Sequence, residues 1–120
     1  MTGRPRKILS LKSQSPQDRD AHAITILART IEEKQCARWT YNRTDMLAAP
    51  QAIYRRNDSL YCDAVVIERD GVSPVEYKLG SFRLAGMLAV KPIVTPADYW
   101  PHLDLTDSRY ASIIAARGEE

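Results

Sequence analysis

Ser59-Leu60-Tyr61-Cys62-Asp63-Ala64-Val65-Val66-Ile67-Glu68-Arg69 is the stretch that decides the fold. It is rich in β-branched, aromatic and small apolar side chains and holds neither glycine nor proline. Such a run reads as a strand. Asn57-Asp58 precedes it and Asp70-Gly71 follows it. Both pairs suit tight turns. A strand held between two tight turns needs antiparallel neighbours, and these are found on either side.

Upstream, residues 47–56 (LAAPQAIYRR) read as a second strand, with Pro50 at its start or on an edge. Before it, Ala37, Trp39 and Tyr41 alternate with Arg38, Thr40 and Asn42, the pattern of a half-buried strand. Arg43-Thr44-Asp45 is the expected turn between the two. Downstream, Val75 to Leu84 forms a fourth strand, interrupted at Gly80, where a bulge or sharp bend is expected. Gly86 marks a turn, and residues 87–94 (MLAVKPIV) form a fifth strand.

A helix precedes the strands. Ser15 is a cap, Pro16 suits the first helical position, and Asp18 sets negative charge near the exposed N–H groups. Ile24, Leu27, Ala28 and Ile31 then recur at one helical face, so the helix should run from about Pro16 to Lys34 or Gln35. After the fifth strand, residues 95–106 (TPADYWPHLDLT) read as an ordered loop. A short final helix is expected, with Thr106 or Asp107 as cap, Tyr110, Ile113 and Ile114 as its apolar face and Gly118 as stop. The fold class is therefore α+β, mainly β. An N-terminal amphipathic helix leads into a five-stranded antiparallel sheet that closes as a barrel to remove exposed edges. A short C-terminal helix ends it. Residues 1–14 form a flexible basic arm and residues 15–120 a single domain.

The 120 residues suffice for one modest core. The net charge of +2 is unevenly placed: the first twenty residues carry +3 and the remaining hundred −1. Cys36 and Cys62 lie in no metal-ligand spacing and read as small buried side chains in a reducing compartment. No apolar run is long enough to span a membrane or to serve as a secretory leader, so the expected location is cytoplasmic.

Catalytic patterns are missing. His22 reads as a solvent-facing helix residue and His102 as a loop residue, and neither belongs to an HExxH arrangement. The glycines from Gly80 to Gly86 form no phosphate loop, and no GxSxG elbow occurs. Asp58, Asp63, Glu68 and Asp70 read as charged surface positions on a strand and its turns. A non-enzymatic protein without cofactor or metal is expected.

From Ile24 to about Pro101 the order of features resembles a WYL domain, a bacterial regulatory module with an Sm-like β-barrel. The helix ending Ala28-Arg29-Thr30-Ile31-Glu32-Glu33-Lys34 resembles the family's opening helix, and Trp39-Thr40-Tyr41 its first strand. Pro50 opens the second strand as in the family, and Leu60-Tyr61-Cys62 falls at the Trp-Tyr-Leu signature. Phe82-Arg83-Leu84 is similar to the core of a later family strand, and Leu88-Ala89-Val90 to its closing one. Leu60 and Cys62 replace two signature residues, and Gly86 stands where the family has an arginine that helps bind ligand.

The resemblance implies a five-stranded Sm-like antiparallel β-barrel. It also implies a sensor or regulatory module, in transcriptional or defence regulation, that binds nucleic acid or a nucleotide-like ligand and signals to a regulator protein. The matching candidates are Tyr41, Tyr61 and Arg83, with Arg43, Arg55, Arg56 and Lys78 as further basic residues of the same sheet. A tyrosine ring can stack on a base and an arginine can fork onto a phosphate. Equally, Tyr41 and Tyr61 suit the core, Arg55-Arg56 a solvated hairpin end, and Arg83 a carboxylate partner. The alternative function is a protein-interaction or homo-oligomerisation module whose ligand site has decayed. In the arm, Gly3-Arg4-Pro5-Arg6-Lys7 resembles the core of an AT-hook, which inserts into a narrow minor groove. Arg4, Arg6 and Lys7 are its candidate contacts; a solvated tail is the other reading.

Overall fold

The structure, a computed structural model, describes residues 16–118. The basic arm, its Arg4, Arg6 and Lys7, and the Ser15 cap lie outside these residues. Helix α1 (Pro16–Glu32) ends one residue after its last buried apolar side chain, Ile31. Ala23, Leu27 and Ile31 are buried along it, with Ile24 and Ala28 packed at their flank. Lys34 terminates the turn in the left-handed region, at φ 57°, and its N–H donates to the Ile31 carbonyl at 3.2 Å.

Two hairpins follow. β1 (Gln35–Tyr41), β2 (Thr44–Arg56) and β3 (Ser59–Arg69) are joined by Asn42-Arg43 and Asn57-Asp58. All four turn residues have positive φ, between 50° and 64°. This is the backbone whose twist matches that of the flanking strands. The first turn is therefore Asn42-Arg43 rather than Arg43-Thr44-Asp45, since Thr44 and Asp45 already pair with Tyr41 and Thr40. A third tight turn, Asp70-Gly71, returns the chain onto itself through two hydrogen bonds of 2.9 Å between Arg69 and Val72.

β4 (Leu79–Arg83) is shorter than the expected fourth strand. It pairs with β3 in unbroken register, Gly80 opposite Ala64, so the bulge expected at Gly80 is absent. The glycine serves packing instead: a Cβ there would stand 3.2 Å from the Phe82 ring. A 3-10 turn at Leu84–Gly86 leads to β5 (Leu88–Pro96). Among the described residues β5 pairs only with β1, so it tolerates Pro92 and Pro96.

The expected C-terminal helix is not formed. Ser108–Tyr110 makes a 3-10 turn and Ser112–Ala116 forms β6. The cause lies in β2. Its pairing with β1 stops at Ala48, and β6 takes over the same edge from Ala52 to Arg55. Between these partners the β2–β3 register shifts, leaving Gln51 unpaired in that ladder beside Pro50. Pro50 thus lies inside β2, where no ladder on that edge requires its missing N–H.

The strand order is β4-β3-β2-β1-β5, with β6 on β2. The architecture is α+β, mainly β: one N-terminal helix and a six-stranded antiparallel sheet that is open, not a closed barrel. The sheet nevertheless curls strongly. β1 and β4 are separated by two strands, yet Trp39 and Tyr41 of β1 make edge-to-face contacts with Phe82 of β4 at 5.5 and 5.1 Å. The hollow of this curl, capped by α1, is the main core, with Leu27, Trp39, Ile53 and Cys62 fully enclosed. Each buried side chain as large as Leu27 or Ile53 contributes about 1.5–3 kcal/mol.

Candidate functional site

Arg83 ends β4 at the lip of the curl. Its backbone N–H donates to the Tyr41 hydroxyl at 3.2 Å, and its guanidinium donates to Ser59 Oγ at 2.8 Å. Across the β3–β4 ladder it stands opposite Tyr61. Arg83 and Arg55 line a pocket of about 210 Å³, together with Ser59, Leu60, Asp58 and Asp20 of α1. Two carboxylates and two exposed arginines thus border it. Arg56 lies exposed on the same hairpin.

Of the expected residues, Arg55 and Arg83 border this pocket, whereas Arg56 and Tyr61 lie toward the same hairpin end but outside its lining. Tyr41 touches this group from the core side. Its half-buried ring packs on Phe82, and the site of a Cβ on Gly86 would be 2.9 Å from it. Any side chain at position 86 collides with that ring. Glycine at position 86 thus has a packing cause. Tyr61 lies on the opposite face of the sheet, stacked on Tyr54 with ring centroids 5.6 Å apart. The two tyrosines do not form one platform. Arg43 sits exposed on the β1–β2 hairpin, and Lys78 lies exposed before β4, at the strand end away from Arg83. Neither borders the small pocket.

The sequence missed a buried polar centre. Asp63 is fully enclosed, not a surface charge. Its carboxylate accepts from Tyr54 Oη at 2.7 Å, Ser81 Oγ at 2.7 Å and Tyr110 Oη at 2.5 Å, and the Arg109 guanidinium lies 3.7 Å away. Arg109 also lies 5.8 Å from the centre of the Tyr110 ring. Burial, then hydrogen bonding to Asp63, raises the Tyr110 hydroxyl above its usual range. The same position of an acid within Cys62-Asp63-Ala64-Val65-Val66 was the available signal. The centre joins β2, β3, β4 and the C-terminal segment through three hydroxyl donors and a nearby guanidinium.

A larger cleft of about 980 Å³ lies against Ala49, Val65 and Ile67, walled by residues 95–101 and by Tyr77. No residue is common to the two pockets. Both cysteines are free and buried, and burial pushes both thiols up, which leaves them poorly reactive. Among the described residues no three His, Cys, Asp or Glu side chains gather as a metal site, and no helix is long and apolar enough to cross a membrane. Comparison of the chain with known protein families, curated proteins and solved structures finds no match.

Proposed function

We propose that the chain is a non-enzymatic regulatory or sensor module of WYL type that binds nucleic acid or a nucleotide-like ligand at the β2–β3 hairpin end, in cytoplasmic transcriptional or defence regulation. The observation that carries this is the meeting of Arg55 and Arg83 at one pocket, with Arg83 opposite Tyr61. Two guanidiniums can clasp a phosphate, and Tyr61, which faces Arg83 across the β3–β4 ladder, offers a ring edge to a base. The curl of the open sheet, which brings β1 onto β4, places Arg83 at the lip of a concave face. The body of the chain is close to neutral, so affinity must come from this local cluster and from the basic arm, and must fall as salt rises.

Fluorescence anisotropy with single-stranded DNA, RNA and nucleotides at low salt tests the proposal. Saturable binding is expected, and Arg83→Ala should weaken it about tenfold, the loss of one charge-assisted contact of roughly 1.4 kcal/mol. No binding to any of the probes overturns it.

A second function is favoured by β5. Among the described residues this strand pairs with β1 alone, and it carries Leu88 and Val94 exposed, at 52% and 87%. An edge of that kind suits pairing with a partner protein or a second copy. A defined oligomer by light scattering, without nucleic-acid affinity, supports this second function over the first.

A further inference from the structure

We infer that the hairpin-end pocket selects guanine, with Asp20 reading the base while Arg55 and Arg83 hold its phosphate. This rests on the nucleic-acid reading of the same pocket and names the ligand it takes. The carboxylates are what a plain phosphate site would lack. Asp58 arrives on the β2–β3 turn, at φ 64°, and Asp20 on α1, so two separate elements each bring an acid to the two arginines. Among the described residues, neither the Asp20 nor the Asp58 carboxylate accepts a hydrogen bond or joins an ion pair, and the Arg55 guanidinium does neither. The Arg83 guanidinium donates to a neutral oxygen, Ser59 Oγ, at 2.8 Å. Both signs of charge are therefore open to a ligand.

A ligand matched to this set carries an anion for the arginines and N–H donors for a carboxylate. The pocket volume, about 210 Å³, falls below the roughly 300–1,000 Å³ of cavities that enclose a drug-sized ligand. It is sized for one part of a nucleotide, with the phosphate left at the rim where Arg55 and Arg83 are exposed. Guanine alone of the common bases sets two donors side by side, N1–H and the N2 amino group, to meet the two oxygens of one carboxylate. Adenine and cytosine offer one amino group beside a ring nitrogen that is an acceptor. Uracil and thymine flank a single N–H with two carbonyl oxygens. Each of these sets an acceptor against a carboxylate oxygen, which is unfavourable away from water. Asp20 is half-buried and Asp58 exposed, so Asp20 has less water to turn to when the base is wrong. Leu60 and Ala85 supply apolar surface beside it.

The test uses the full chain at low salt and a short, labelled oligothymidine in which one central base is guanine, hypoxanthine, adenine or cytosine. By fluorescence anisotropy the guanine strand should bind about tenfold tighter than the adenine, cytosine and all-thymine strands, the discrimination of one bidentate base contact. The hypoxanthine strand, which keeps N1–H but lacks the N2 amino group, should fall between. Asp20→Ala should bring the guanine and adenine strands to within about twofold of each other. Arg83→Ala should weaken all strands alike. Saturable binding of every strand with equal affinity overturns the guanine selection and leaves the hairpin-end reading standing; binding of none overturns both. Equal affinity for guanine and hypoxanthine overturns the two-donor contact, a comparison that needs no substitution. A guanine preference that survives Asp20→Ala, with circular dichroism preserved, overturns the role of Asp20.

Discussion

Asp63 keeps a carboxylate in the middle of a sheet, out of contact with water. A buried charge is tolerated only when its lone pairs are occupied. Three hydroxyls, from Tyr54, Ser81 and Tyr110, do so here, with Arg109 near the same oxygen that Tyr110 reaches. Asp63→Ala leaves these hydroxyls without their acceptor, and a loss of about 3–5 kcal/mol in denaturant unfolding is expected; a loss under about 1 kcal/mol contradicts this role. The tyrosines give a pH test. Burial first, and donation to Asp63 in addition, push Tyr54 up to about 12 from 10. A raised value means that the folded state prefers the neutral phenol. The stability it confers is complete below pH 10 and is lost as the pH rises through about 12. Tyrosinate absorbance should therefore show a late component from Tyr54 and Tyr110 that appears only with unfolding. A titration in which every tyrosine ionises before unfolding contradicts the buried hydrogen bonds.

The elements owe their shape to tight turns of left-handed backbone. Asn57, Asp58 and Asn42 enter that region readily, but Arg43, at φ 63°, does so at some cost. Arg43→Gly should raise stability by about 0.5–1 kcal/mol, read as a higher melting temperature. Because Arg43 lies apart from the hairpin-end pocket, nucleic-acid affinity should change little; a large loss of affinity assigns it to the interface instead. What could be read from the sequence at this scale was local. The period of α1, the alternation in β1 and the turns bounding β3 are set by near neighbours, and β3 has the residue limits expected of it. β6 was not legible. Tyr110, Ile113 and Ile114 fit a helical face by spacing, and the deciding fact is the free edge of β2 beyond Pro50, distant in sequence. The site was partly legible for the same reason: Arg55, Arg56 and Arg83 were visible as basic residues near turns, whereas the enclosure of Asp63 depends on a C-terminal tyrosine brought back onto β2.

Across the whole molecule, one curled sheet presents two unlike places. The hairpin end gathers the exposed Arg55 and Arg83, while the cleft against β2 and β3 is walled by Tyr77, Tyr99 and Trp100. A near-neutral body means that neither place acts through a general electrostatic field, so each must act through its own contacts. The central claim is that nucleic acid or a nucleotide-like ligand binds at the hairpin end. It is tested most directly by an amide chemical-shift map of the isotope-labelled chain, titrated with a short single-stranded oligonucleotide at low salt. The largest shifts are expected at Arg55, Ser59, Tyr61 and Arg83, and they should vanish in Arg83→Ala. Shifts confined to Tyr77 and residues 95–101, or no shifts at all, would contradict the claim.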